Sequence, residues 1–239
     1  MSTQSIYVVF TALHIGAGSV ALIVAPVAMI VRKGGKAHRQ WGRVFFWAMF
    51  AVFVSALGLL AISPSVFLFV LSILSFYAVF SGVRALRRKR PERGEEATWL
   101  DRFGAVAAIL TGLSFILWGV LPLLNIYANE IPASFALLGV AFGVLLAQMG
   151  WEDLRGFGKP PRERNWWWYY HMGRMTGGYI AAATAFIVQV VGPLLPASLD
   201  WTAWAVPSVV GSVLVRVWIE RYRRKFAAAS EETGATSAL

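Results

Sequence analysis

Long apolar stretches separated by short polar ones dominate the chain, and seven of them have the length of a membrane crossing. They run over 6–31, 44–62, 65–83, 103–127, 133–151, 168–192 and 203–219. About 20 apolar residues in helical conformation cross a hydrocarbon core roughly 30 Å thick, so the pattern predicts an all-α bundle of seven transmembrane helices. The first segment reads as an ordinary span and not a cleaved leader. No Lys or Arg precedes it, and no small-residue cleavage site leads into a polar start. One transmembrane domain is expected over 1–226, followed by a polar tail over 227–239 rich in small residues and without regular structure.

Composition agrees with the pattern. Of 239 residues 58% are hydrophobic and only 14% charged, too little polar surface for a soluble domain of this size. Charge then orients the bundle. The first polar connection carries Arg32, Lys33, Lys36, Arg39 and Arg43. The third carries Arg84, Arg87, Arg88, Lys89, Arg90, Arg93 and Arg102. Two further groups, Arg155 to Arg174 and Arg216 to Lys225, complete the chain's 22 Lys and Arg. With seven crossings all of them fall on one side, whereas the other side holds only Glu130 and Asp200. Cations collect in cytoplasmic loops, so the amino terminus is expected outside and the carboxyl terminus inside a bacterial-type inner (cytoplasmic) membrane. The net charge of +10 is thereby assigned to topology and to anionic lipid headgroups, not to nucleic acid.

Candidate chemistry is sparse. With no cysteine, thiolate zinc sites, cysteine-held iron–sulfur clusters and covalent c-type haem are excluded. No Ser-His-Asp, HExxH, Walker-type or glycine-rich dinucleotide motif occurs in a fitting context. What remains is three histidines: His14, His38 and His171.

Depth sorts them. His14 lies roughly 25 Å of helix from the inner end of its span and His171 roughly 7 Å, a gap on the order of 18 Å. One metal ion, with nitrogen ligands near 2.1 Å, does not bridge that gap. His38 and His171 both belong near the inner end, and Gly42 follows His38 by four residues. Along the sixth span His171, Arg174, Met175 and Gly178 share a face. Two imidazoles at one depth suit the axial positions of a non-covalent haem b, with small residues making room for the porphyrin and Arg39, Arg43 or Arg174 meeting propionates. A quinone or a lipid phosphate is a less demanding occupant of the same parts. Against this stands a structural reading, in which a boundary histidine merely hydrogen-bonds a carbonyl or water. Asp101, Glu152 and Asp153 are expected either to orient imidazoles or to form loop ion pairs.

His14 has a different alternative. An ionisable group in mid-span usually faces a cavity or a partner helix, so it either makes a helix–helix hydrogen bond or belongs to a transport path with Thr11, Ser19, Thr184 and Gln189. A small transporter or lipid-interacting protein without chemistry is the second functional reading. Two G-x-x-x-G pairs, Gly139 with Gly143 and Gly173 with Gly177, predict close helix packing, and WWWYY (166–170) predicts an aromatic belt at the headgroup level.

Three stretches, HIGAGSVAL (14–22), KGGKAHRQWGRVFFWAM (33–49) and HMGRMTGGYIAAATAF (171–186), resemble the bacterial predicted membrane proteins grouped as domain of unknown function 2306. His14, the run ending in His38, Arg39 and Gly42, and the span led by His171 carry the resemblance. It implies a polytopic membrane protein and no particular reaction.

Overall fold

The computed structural model describes residues 2–64, 66–124, 126, 132–159, 161 and 163–236. Among them every regular element is helical: α1 (Thr3–Ile30), α2 (Lys36–Ile62), α3 (Val66–Ala85), α4 (Trp99–Leu123), α5 (Ala133–Gly158), α6 (Trp166–Val190) and α7 (Thr202–Thr236), with short 3₁₀ turns at Pro91–Arg93 and Gly192–Leu194. Six of the seven long helices are long and apolar enough to cross a membrane. In α3 the stretch Phe69–Ala85 is apolar but shorter. Most of the 128–132 connection and residues 237–239 lie outside the described residues.

Local chemistry sets the helix ends. Ser2 caps α1 by accepting from the Ser5 amide at 3.2 Å. Pro26 sits inside α1 without ending it; transmembrane helices tolerate proline, since neighbouring groups satisfy the freed carbonyl. At the start of α4 the Thr98 amide donates to Asp101 Oδ2 at 2.8 Å, and Arg84 from the end of α3 clasps the same carboxylate through Nε (2.8 Å) and Nη2 (2.6 Å). This forked pair ties α3 to α4 across the basic connection.

Several helix boundaries differ from the sequence pattern, most of all at α2 and α7. Apolarity alone starts the second span at 44, but the helix starts at Lys36, because Lys, Ala, Arg and Gln are strong helix formers that hydropathy ignores. His38 therefore sits in the first turn of α2, not in a loop. Likewise α7 continues helically to Thr236, into the polar stretch for which no regular structure is expected.

The helices divide into two packed groups. In one, α1 packs on α2 and α6, and α3 on α2 and α6, so that α2 and α6 stand across from one another. Their shared core is Ala21, Val24 and Ala25 of α1, Phe45, Ala48 and Met49 of α2, and Val79 of α3, with Met175 and Tyr179 of α6 against it. In the other, α4 and α5 form a tight hairpin that meets the first group through α3; α7 packs on α6.

All four cationic segments gather at one end. Lys33 lies over the Trp218 ring at 4.9 Å and Lys89 over Trp167 at 4.4 Å. Arg223 reaches Glu163 at 3.5 Å and covers Tyr169 at 5.1 Å. Cation–π contacts of this kind are worth about 0.5–2 kcal/mol each, and they join loops far apart in sequence into one basic rim.

Candidate functional site

At that rim His38 and His171 meet. Their ring centroids are 6.4 Å apart with planes at 79°. Each is fixed by a backbone carbonyl from another helix: His38 Nδ1 lies 2.9 Å from Ala28 O of α1, and His171 Nδ1 lies 2.9 Å from Gly82 O of α3. A carbonyl only accepts, so in both rings Nδ1 carries the proton. The neutral imidazole then keeps its lone pair on Nε2, the tautomer found in metal-ligating histidines whose other nitrogen donates to a carbonyl. Four helices supply this centre, two providing rings and two providing the carbonyls that aim them.

Why these carbonyls are reachable is also legible. Ala28 and Gly82 are small, so an imidazole from the facing helix approaches the main chain. At Gly82 a Cβ would stand 2.9 Å from Arg174 Cβ and 3.4 Å from Met175 Cγ, so any larger residue pushes α6, and His171 with it, away from α3.

Beside the rings the surroundings are cationic. Lys33 Nζ donates to Met29 O and, at 3.3 Å, to Ala28 O, the carbonyl that holds His38. Burial there pulls the Lys33 ammonium below its ordinary pKa, because desolvation penalises the charged form. Arg39 is exposed and, among the described residues, has no ion pair.

Arg174, expected near the imidazoles, is engaged elsewhere. Its Nη2 donates to Asp153 Oδ1 at 3.2 Å and to Met149 O at 3.1 Å, both on α5. The same carboxylate accepts from Tyr77 of α3 and Tyr170 of α6, and the guanidinium lies 4.8 Å from the Tyr170 ring centre. Asp153 and Arg174 are 4% and 8% exposed; the two charges are buried as a pair, which is how charge persists in an apolar interior. Glu152 reaches Arg174 at 3.8 Å, and Asp101 is spent on Arg84. Among the described residues none of the three acids has a hydrogen bond or ion pair with an imidazole. Tyr77, at the centre of this network, carries no motif. Its only signal is a phenol in mid-span, where an O–H needs a partner.

Gly178, expected to make room beside His171, does not: a Cβ there would collide with Val79 of α3. Gly42 does face open space. The aromatic run is likewise turned into the protein. Trp168 lies against Tyr222 of α7 with centroids 4.4 Å apart and planes tilted by 52°, Trp167 receives Lys89, and Tyr170 serves Asp153.

His14 stands apart. Its Nδ1 is 3.1 Å from Ser55 Oγ of α2, whose hydroxyl is also within reach of Ala51 O at 2.7 Å. The residues proposed to share its path do not gather around it. Ser19 is exposed and bonded to Ile15 O, Gln189 is exposed, and Thr184 is buried against Ile180 O. Thr11, one turn before His14, has a buried hydroxyl oxygen without a partner.

Among the described residues no three of His, Cys, Asp and Glu are grouped as metal ligands. No family model, curated protein or solved structure matches the chain.

Proposed function

We propose that this is a seven-span membrane protein, basic end in the cytoplasm, whose paired imidazoles His38 and His171 ligate a cofactor, with non-covalent haem b as the occupant. One observation carries the reading: two rings from opposite helices, each locked by its Nδ1 onto a carbonyl so that Nε2 is free. With ring centres 6.4 Å apart, His38 and His171 are the residues that would hold such a group through their Nε2 atoms. Among the described residues only two side-chain ligands are in reach, so a bare ion would be under-coordinated, whereas a porphyrin would bring four nitrogens of its own.

The cationic rim favours a group that carries carboxylates. Lys33 and Arg39, with Lys89 above Trp167, are the residues for the propionates; Arg174 is not, being held by Asp153. Haem, when bound, would supply one-electron chemistry, and the protein would supply ligation, charge compensation and exclusion of water. Seven crossings are supported by α3 itself, whose 20 residues reach roughly 30 Å at 1.5 Å per residue, and the sidedness by the positive-inside rule. The likeness to the domain of unknown function 2306 proteins agrees with the topology and adds no reaction.

The test is an absorption spectrum with iron analysis on detergent-purified protein expressed with haem supplementation. A Soret band with low-spin bis-imidazole character is expected, lost in His38→Ala and in His171→Ala and retained in His14→Ala. Wild-type protein with neither Soret band nor iron would remove the haem reading. A transport role is favoured by one observation only, the unpartnered Thr11 hydroxyl beside His14. Substrate uptake into vesicles that is abolished by His14→Ala, with no cofactor in the protein, would put that reading first.

A further inference from the structure

On the side of α2 turned away from His38 lies a cavity of about 790 Å³ between α1 and α2. Ala12, Gly16 and Ala17 line it from α1, and Gln40, Arg43 and Trp47 from α2. It exists because α1 presents small residues there; a Cβ added at Gly16 would meet nothing within 4 Å. Its course follows from the antiparallel pairing. His14 meets Ser55 and Ala28 meets His38, so Ala12 is level with the region of Leu57, 14 residues along α2 from Arg43. That is roughly 21 Å, somewhat more than one half of a hydrocarbon core about 30 Å thick. The groove therefore runs diagonally from the basic rim into the apolar interior.

Its two ends differ in chemistry. At the rim stands Arg43, exposed and, among the described residues, without an ion pair. Residues 31–43 contain five cations and no acid. Inward, the walls are aliphatic and aromatic.

We infer that this groove holds one acyl chain of an anionic glycerophospholipid, with its phosphate at Arg43 and Gln40. A second copy of the chain fits worse on two counts. All copies insert with the same orientation, so a partner's basic rim would meet this basic rim, like charge against like. A helix with side chains is also about 10 Å wide, whereas a single flexible acyl chain can follow the diagonal course between Arg43 and Ala12. The inference does not depend on what the imidazoles bind.

The experiment is native mass spectrometry of the full chain in detergent, titrated with phosphatidylglycerol or phosphatidylcholine of the same acyl composition. Wild type is expected to retain one lipid and to prefer phosphatidylglycerol about fivefold, the factor equivalent to about 1 kcal/mol per cation at a membrane surface. Arg43→Gln should bring the two lipids to equal retention. Gly16→Leu, which fills the groove with a side chain the backbone accommodates, should lose retention of both at an unchanged thermal midpoint. Equal retention of the two lipids by wild type overturns the inference, as does undiminished binding by Gly16→Leu. A dimer in wild type that Gly16→Leu splits would overturn it in favour of a second copy. Should Gly16→Leu not fold, the Arg43→Gln comparison decides alone.

Discussion

The α4–α5 hairpin and the α1–α2–α3–α6 group solve the same problem, holding helices together in an apolar medium, by opposite means. Between α4 and α5 backbone touches backbone. A Cβ at Gly112 would stand 2.6 Å from Gly143 O, one at Gly119 2.6 Å from Ala136 O, and one at Gly150 2.5 Å from Ala105 O. Lipid offers no hydrophobic drive for helices to associate, so such close approach, with its gain in dispersion contacts, is what holds them. The second group mixes small core residues with larger ones such as Phe45 and Met49 and is also tied by hydrogen bonds from imidazoles to carbonyls of other helices. The hairpin seam is thus closed by backbone contact, while in the four-helix group His38 and His171 each meet a main-chain carbonyl through Nδ1. Architecture and site have been separated.

Two struts join the halves: the Arg84–Asp101 pair between α3 and α4, and a cluster centred on α5. Asp153 of the hairpin receives Arg174 and Tyr170 of α6 and Tyr77 of α3. Removing the carboxylate leaves a guanidinium 8% exposed with only the solvent-exposed Glu152, 3.8 Å away, as counter-charge, so Asp153→Leu should cost about 3–5 kcal/mol, read as the midpoint of denaturant-induced unfolding in detergent. Because most of that loss is an uncompensated charge, the double variant Asp153→Leu with Arg174→Met should recover a large part of it. A double variant no better than the single one would mean that the tyrosines, and not the charge pair, hold the halves together.

Gly143 and Gly177 sharpen the contrast, since both belong to G-x-x-x-G pairs. Gly143 is 2.7 Å, by its added Cβ, from Gly112 O, but Gly177 meets nothing within 4 Å and lines a cavity of about 410 Å³ between α6 and α7. Gly143→Leu should destabilise by about 1–3 kcal/mol or more through overpacking. Gly177→Leu should stay within about 0.5 kcal/mol, the range of substitutions that meet no packed neighbour. Equal costs at the two positions would dissolve the distinction between the two halves.

Much of this organisation is written in the residue pattern, and what is missing has identifiable causes. Apolar run length locates the helices, and the alternation of charged and uncharged connections brings Lys33, Lys89, Glu163 and Arg223 to one rim. The shared depth of His38 and His171 follows from counting residues, and so does the isolation of His14. The carbonyls of Ala28 and Gly82 are not legible, because every residue carries one and only the packing chooses among them. Nor is the direction of Arg174: its position on the His171 face is correct, but a side chain of that length reaches α5, where the Asp153 carboxylate holds it. G-x-x-x-G spacing marks a surface that permits close approach; it does not say whether a neighbour takes it up.

The smallest expected effect concerns His14. Its bond to Ser55 ties α1 to α2 within the four-helix group, and hydrogen bonds between membrane helices average about 0.6 kcal/mol and rarely exceed about 1.7. The reason lies in the unfolded reference state, in which both groups find other partners. Ser55 is also already satisfied, with Ala51 O at 2.7 Å, so its hydroxyl is not orphaned when the imidazole goes. His14→Leu should therefore shift the unfolding midpoint by the equivalent of about 0.6 kcal/mol and leave any absorption from the His38–His171 centre unchanged. A loss several times larger, or a changed spectrum, would show that His14 is coupled to the centre across roughly 18 Å of helix, and the depth argument that sets it apart from the other two histidines would fail.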